Sequence, residues 1–314
     1  MSNLACLVRR KKRKRTKKSD LYLNIVTTME EMSVDKVNIE ELKAMVSLLD
    51  DDDGDVAQHV QQRLESIGTD AIPFLKDQWE QSFEPVHQKR IENLIHKLQF
   101  RQLGERFRLW KENGSEDLLE GMWLVATYQY PNLELDFLQK EVDQIYRQVW
   151  NDFREDMHPY DQVRMLNEVL FDKLKFGPAS KKFHAPGNSM INVVLETGKG
   201  NPISLCVLYM LLARKLDMPV YGVNLPNLFV CTYKNSENQF YINAFNKGLI
   251  FSRSDIDNFI EQLHVNPDDI YYEPCENVDI VMRVLRNLIL AFEKSGRHGH
   301  EENIRLLLKI FSDS

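Results

Sequence analysis

One uninterrupted apolar segment constrains the fold of this 314-residue chain more than any other feature. Between Ile203 and Ala213 only Ser204 is strongly polar. Asn201 and Pro202 come directly before the segment, and they are typical of the N-cap and the first position of an α-helix. Because a helix that is apolar all round is buried on every side, the segment predicts a central core helix.

The apolar segment is too short to cross a membrane. Its longest apolar run, residues 205–213, is half of the roughly 18 residues that a spanning helix needs. Apolar residues make up 43% of the chain and charged residues 28%, which is ordinary for a globular protein. With 13 Gly, 11 Pro and 4 Cys, the composition also excludes collagen-like and disulfide-scaffold classes. We expect a soluble protein with a sizeable core.

Strand-like runs follow the core helix. Turn residues separate these runs, which cover residues 220–225, 229–233, 240–245 and 249–251. One buried helix that leads into a small antiparallel sheet is an α+β arrangement. We place this core at residues 177–265, after a change in the character of the sequence at Gly177.

Helical periodicity dominates the chain before the core, over residues 39–176. A helix that ends at Gly68, followed by Ala-Ile-Pro-Phe-Leu, resembles one unit of the HEAT-type helical repeat. The apolar stripes predict further helices, namely residues 86–100, a short helix through Phe107 and Trp110, one capped by Ser115, and residues 133–153. The expected fold class is therefore α+β but mostly helical, with a HEAT-like N-terminal region.

The chain after the core is also helical in pattern. Apolar residues at helix spacing predict helices over residues 280–292 and 303–311, joined by a glycine-containing loop at 296–299. We therefore expect residues 266–314 to form a helical tail that packs on the core.

The core segment carries a family resemblance. Its sequence is GKGNPISLCVLYMLLARKLDMPVYGVNLPNLFV, and FYINAFNKG follows soon after it. This combination resembles the transglutaminase-like superfamily, and more closely its SirB-type branch, in which such a core precedes a tetratricopeptide-like tail. The resemblance covers residues 188–311. It implies a papain-like core in which one central helix lies against an antiparallel sheet.

The resemblance also implies thiol chemistry, in which a Cys at the start of the central helix attacks an acyl group. A His on the next strand acts as the base, and an Asp on the following strand orients it. The matching positions here are Pro202, Leu228 and Asn243. Since proline is no nucleophile and leucine is no base, we expect a catalytically inactive protein. It would bind or regulate other proteins through an apolar groove between these positions and through its helical surfaces.

The alternative interpretation is a thiol-dependent acyl transferase or amide hydrolase. It would use Cys206 or Cys231 with a displaced histidine, for which His184 is the best candidate. Cys206 lies more than one turn inside the helix, where no free backbone N–H groups stabilise a thiolate. Cys231 follows Leu228 by three residues, so its side chain points away from Leu228. Both positions favour the inactive protein, although the sequence leaves enzyme activity open.

No metal site and no cofactor are predicted. The four cysteines form no CxxC pair and lie far apart, at Cys6, Cys206, Cys231 and Cys275. His298 and His300 would supply only two metal ligands, and Gly198-Lys199-Gly200 lacks the spacing of a phosphate-binding loop. Cysteines without a disulfide or zinc pattern are typical of a reducing cytoplasm, where we place the protein.

The charge distribution separates an N-terminal arm from the rest of the chain. Nine Lys or Arg residues lie between Arg9 and Lys18, and without them the net charge falls from −7 to −16. An acidic body argues against general nucleic-acid binding. Nucleic acid or an anionic membrane could bind only through this arm, so we expect a protein or an extended peptide as the partner. We interpret residues 1–38 as a disordered basic tail, with Met29 and Met32 as alternative start positions.

Overall fold

The computed structural model describes residues 39–50, 53–154, 156–179 and 183–312. The described residues divide into two compact units, one ending at Leu98 and the other beginning at Gln99. The predicted basic tail, including the run from Arg9 to Lys18 and Cys6, lies outside the described residues. No helix in the described ranges is long and apolar enough to cross a membrane.

The first unit consists of helices. They are α1 (Ile39–Ser47), α2 (Gly54–Ile67), α3 (Ile72–Gln81) and α4 (Pro85–Glu112) as far as residue 98, with 3₁₀ turns at Leu48–Asp50 and Gly68–Ala71. Asp53 is the N-cap of α2, and its side chain accepts a hydrogen bond from Asp55 N. Gly68 is the C-cap, as predicted. Gly68 has a φ of 82°, a conformation that favours glycine. The buried apolar side chains described in this unit form one cluster, made of Leu42, Val46, Leu49, Leu64, Ala71, Leu75, Ile91, Leu94 and Leu98.

Two predictions for the next stretch are wrong. The helix expected at 86–100 and the short helix after it are one continuous helix, α4. Gly104 does not interrupt it, since a helical glycine costs only about 1 kcal/mol and the residues that follow it include the buried Phe107 and Trp110. Ser115 does not cap the next helix, α5 (Leu118–Thr127), because Asp117 accepts hydrogen bonds from the first-turn N–H groups instead.

The helical part of the second unit continues to the core helix. Its elements are α6 (Leu135–Trp150), α7 (Pro159–Asn167), a π-helical turn (Glu168–Lys173), a 3₁₀ turn (Pro186–Ser189), α8 (Ile191–Thr197) and α9 (Pro202–Lys215). Two short strands, β1 (Gly177–Pro178) and β2 (Lys199–Gly200), pair in parallel just before α9. Every residue of α9 from Ile203 to Ala213 is buried, as the apolar sequence predicts.

An antiparallel sheet follows α9. Its strand order is the chain order, β3 (Val220–Leu225), β4 (Leu228–Lys234), β5 (Gln239–Asn243) and β6 (Leu249–Phe251). The predicted strand at 240–245 ends early, because the Asn243 side chain accepts a hydrogen bond from Asn246 N and starts a 3₁₀ turn. The described chain is mostly helical and contains small sheets, which is consistent with the predicted α+β fold class.

The remaining helices close the second unit. They are α10 (Arg253–Gln262), α11 (Asn277–Lys294) and α12 (His298–Ser312), with a 3₁₀ turn at Asp269–Tyr271. α12 begins at His298, five residues earlier than predicted, so the expected loop is short. Buried residues of α11, such as Leu288, belong to the same apolar cluster as those of α9. α10 covers the other face of the sheet, where Ile256 and Ile260 pack near Tyr241.

Polar groups close the N-terminus of α9. Ser204 N donates to Asn201 Oδ1 over 3.0 Å, and Asn201 N donates to Ser204 Oγ over 3.0 Å, so the two residues form a capping box. Ser204 Oγ donates in turn to Asn188 O over 2.7 Å. The predicted N-cap at Asn201 is confirmed. The serine hydroxyl therefore both donates and accepts in structural hydrogen bonds.

We expect Gly200→Ala to lower the free energy of unfolding by about 1–3 kcal/mol. A Cβ at Gly200 would collide with Ser204 Oγ and lie 3.3 Å from both Leu205 Cγ and Val194 Cγ2, so the capping box must shift. Urea unfolding followed by tryptophan fluorescence measures the change. Gly299→Ala is the matched control, since nothing lies within 4 Å of a Cβ there. Equal unfolding midpoints for both variants would show that the close packing of Ser204 against Gly200 does not contribute to the free energy of unfolding.

Candidate functional site

A cavity of about 150 Å³ lies beside the first turn of α9, and we call it the α9 cavity. Pro202 lines it from α9, and Asn227 lines it from the turn between β3 and β4. α11 forms another wall through Arg283, Asn287 and Leu290, which are spaced by four and three residues and so share one helix face. Several elements of the second unit thus meet where the superfamily resemblance places the nucleophile.

The structure brings only one of the three matching positions to this cavity. Pro202 lines the α9 cavity, whereas Leu228 and Asn243 are absent from its lining. Leu228 packs with Val223 and Tyr241 in the cluster on the α10 side of the sheet. The Asn243 side chain is occupied by its hydrogen bond from Asn246 N, over 3.1 Å.

The expected apolar groove between these three positions differs from the site that the structure contains. The α9 cavity mixes apolar side chains, such as Phe229 and Leu290, with polar ones, such as Asn227, Arg283 and Asn287. The register of β4 explains the difference, because side chains alternate between the faces of a strand. Phe229 faces α9 and therefore Leu228 does not.

The two core cysteines are sealed from solvent. Cys206 and Cys231 have no exposed area. Cys206 Sγ donates to Phe229 O over 3.5 Å, and Cys231 Sγ donates to Cys206 O over 3.7 Å. Burial, together with the neighbouring Cys206 thiol, raises the pKa of Cys231 well above its usual range. Cys231 therefore stays protonated at neutral pH, which is the unreactive form of a thiol.

Cys275 is the third described cysteine, and it is also a poor nucleophile. It is partly buried beside Gly222 of β3. Burial and the nearby Asp279 carboxylate raise the pKa of Cys275 to about 12. The fraction of thiolate at neutral pH is accordingly very small.

His184 lines the α9 cavity but does not contact a thiol. Its side chain is exposed, and Lys294 Nζ donates to its Nε2 over 2.8 Å. No cysteine of the described ranges has a histidine among its hydrogen-bond partners. The structure therefore does not bring the proposed alternative pair, Cys206 and His184, into hydrogen-bond contact.

The histidines of the C-terminal helix make structural contacts. His300 Nδ1 lies 2.8 Å from Tyr128 Oη, and His298 Nδ1 lies 3.4 Å from Glu301 Oε2. In the part of the chain that the structure describes, no group of three or more His, Cys, Asp or Glu residues could hold a metal ion.

Sequence reasoning missed the polar wall of the cavity. Arg283 is partly buried, and its Nη1 donates to Asn224 Oδ1 over 3.0 Å. Burial and the nearby Arg286 lower the pKa of Arg283. The sequence did contain one indication of this polar wall, namely Arg283 and Asn287, which lie one turn apart on a helix with many apolar residues. What this pair faces is determined by tertiary packing, which a single sequence does not show.

We expect Cys206 and Cys231 of the native protein to resist iodoacetamide at pH 7, since both are sealed and at least Cys231 is held protonated. Mass spectrometry of the tryptic peptides measures labelling at each cysteine. The same protein in concentrated urea is the control, and there both thiols should react fully. Rapid stoichiometric labelling of Cys206 in the native protein would mean that a reactive thiol is present after all.

The match to a known family lies within the second unit. Residues 137–286 match the family model described as the transglutaminase-like superfamily. A UPF0162 protein of Xylella fastidiosa (strain 9a5c) is 26% identical over 202 residues, which cover 60% of this chain and 71% of that protein. The F-box only protein 21 of Homo sapiens is 26% identical over 211 residues, covering 58% of this chain and 33% of that protein. The mouse protein of that name is 29% identical over 139 residues, covering 42% of this chain and 22% of that protein.

No solved structure matches the chain. The aligned part spans only about a third or less of the F-box only proteins, so the likeness concerns one portion of those proteins. From the family match, residues 137–286 are similar to a transglutaminase-like domain.

Proposed function

We propose that this protein is a catalytically inactive transglutaminase-like protein that binds an extended peptide segment of another protein in the α9 cavity. One observation carries the proposal. The first turn of α9 presents Pro202 in place of a nucleophile, and Asn201 and Ser204 are committed to the capping box. A binding role needs no nucleophile.

Acyl transfer through a thiol requires an activated thiolate beside a base. Cys206 is buried one turn inside α9, and its partner is a carbonyl oxygen. His184 is at the cavity surface, with its Nε2 bonded to Lys294. These placements support binding and count against catalysis.

The polar groups of the cavity suit a peptide backbone. The side chains of Asn227 and Asn287 have no hydrogen-bond partner among the described residues. Each amide both donates and accepts, so it pairs with the N–H and C=O groups of an extended chain. Leu290 is 51% exposed at the same site and offers an apolar contact for a side chain. The volume of about 150 Å³ fits a side chain rather than a whole domain.

The finer assignments belong to the same proposal. They are membership of the SirB-type branch, a HEAT-like region over 39–176, the core at 177–265, and a tetratricopeptide-like tail over 266–314. In this proposal the two helical regions act as additional docking surfaces for the partner, since arrays of helices commonly bind proteins. The protein would act in the cytoplasm. The names of the relatives, UPF0162 protein and F-box only protein 21, state no catalytic activity.

Selection from a random peptide library tests the binding role, with the full-length protein as bait. We expect the selected peptides to bind with affinities measurable by fluorescence anisotropy. Leu290→Asn should weaken them at least about tenfold, as loss of a buried apolar contact at a binding site does. Leu306→Asn is the matched control, because Leu306 on α12 is equally exposed, at 51%, and does not line the cavity. Its effect should stay within about twofold.

Two outcomes would contradict the proposal. The first is a selection in which no enriched peptide is sensitive to Leu290→Asn. The second is catalysis, measured as ammonia release from a glutamine-containing peptide with a primary amine as acceptor. If the wild type turns over and Cys206→Ser does not, the protein is an enzyme.

A further inference from the structure

We propose that the α9 cavity recognises a carboxylate of the bound peptide, and that Arg283 is the residue that binds it. This inference rests on the proposed function, since it names the chemistry of the ligand in the same cavity. It depends on the charges around the cavity and on the hydrogen bonds that Arg283 does and does not make.

Arg283 is a partly buried cation without an anionic partner in the described chain. Its Nη1 donates to the neutral amide oxygen of Asn224, and no carboxylate of the described residues pairs with it. A guanidinium carries five N–H donors in a planar fork. Several of these donors are therefore available at the wall of the cavity.

The surroundings of Arg283 raise the local positive potential. None of the described residues that line the α9 cavity is acidic. Burial, together with Arg286 three residues further along α11, lowers the pKa of Arg283. An arginine nevertheless stays protonated at all physiological pH values. A cation that has lost water without gaining an anion is in an unfavourable state. An incoming anion compensates it.

The single guanidinium favours a carboxylate over a phosphate. Recognition of phosphorylated peptides typically uses clusters of arginines. Here the described lining of the α9 cavity holds one guanidinium, that of Arg283. Arg286 is exposed outside this lining, and Lys294 Nζ donates to His184. One fork-shaped guanidinium matches the two oxygens and the single charge of one carboxylate. The amides of Asn227 and Asn287 are left for the peptide backbone.

The position of Arg283 within the cavity fits this role. Asn287 follows it by one helical turn, and Leu290 by two. A ligand along this face of α11 would therefore meet first a cation, then an amide and then an apolar side chain. That order fits a peptide whose carboxylate lies next to a backbone amide and an apolar residue.

The full-length protein, labelled with ¹⁵N-arginine, allows a direct test by NMR. Sodium propionate is titrated in, with sodium chloride at equal ionic strength as the reference. The Nε–Hε signal of Arg283 is identified by its loss in Arg283→Gln. We expect a saturable shift of this signal with propionate and none with propionamide, which has the same shape but no charge.

Tripeptide probes extend the measurement to peptides. Acetyl-Ala-Ala-Ala with a free terminal carboxylate is compared with its amide, and with an amidated peptide that carries one Glu. Binding of the free-acid tripeptide identifies a chain terminus as the ligand, and binding of the Glu-containing peptide identifies an acidic side chain. Either result supports recognition of a carboxylate. Arg283→Gln should weaken the binding at least about tenfold, because a charge-assisted pair contributes more than a factor of ten. Arg286→Gln, an equal change of charge at an exposed position, should stay within about twofold.

Three results would overturn this inference. One is a propionate titration that does not differ from sodium chloride. Another is inorganic phosphate that binds at least tenfold more tightly than propionate, which would assign the cavity to phosphate instead. The third is equal binding by all three peptides, namely the free-acid tripeptide, its amide and the amidated peptide that carries one Glu. If the carboxylate tests fail while library peptides still depend on Leu290, the peptide-binding function stands and only the carboxylate assignment falls.

Discussion

The burial of α9 on every side is the constraint on which the second unit depends. Its residues from Ile203 to Ala213 are all buried, and complete burial of a large apolar side chain contributes about 1.5–3 kcal/mol. No single neighbour can cover a helix that is apolar all round. The sheet strands β3 and β4 cover one side, and α5, α6, α8 and α11 supply the others. Helices before the sheet and a helix after it are therefore both required to bury α9.

The same constraint decides what chemistry α9 can perform. A side chain within the buried segment is closed to a substrate. Cys206 has no exposed area, although it lies on the helix where the superfamily resemblance expects a cysteine. The residues of α9 that line the α9 cavity, Pro202 and Ile203, belong to its first turn. There the backbone is satisfied by Asn201 and Ser204, and Pro202 contributes no N–H and no reactive group. The element that organises the fold thus presents proline and isoleucine, and no cysteine, to the α9 cavity.

Local patterns in the sequence predicted the elements whose signals are local. α9 with its N-cap and the strands of the sheet are recognisable from periodicity and turn residues. The unbroken α4 was missed, because tertiary burial on both sides of Gly104 outweighs the low helix propensity of glycine. At the site, Pro202 was found but Arg283 was not. Arg283 is 81 positions after Pro202 in the chain, and it reaches the cavity only through the packing of α11. On β4, a shift of one residue changes the face of the sheet, and so Phe229 rather than Leu228 lines the cavity.

The contrast between the overall charge and the charge of the cavity sharpens the choice of ligand. The chain is acidic, with a net charge of −7. A negatively charged protein repels polyanions such as nucleic acids. At physiological ionic strength charges on the surface are screened beyond about 8 Å. A single carboxylate at Arg283 would therefore respond mainly to the nearby guanidinium, which is screened less because it is partly buried. An acidic protein can in this way bind one isolated negative charge on a peptide while disfavouring dense arrays of them.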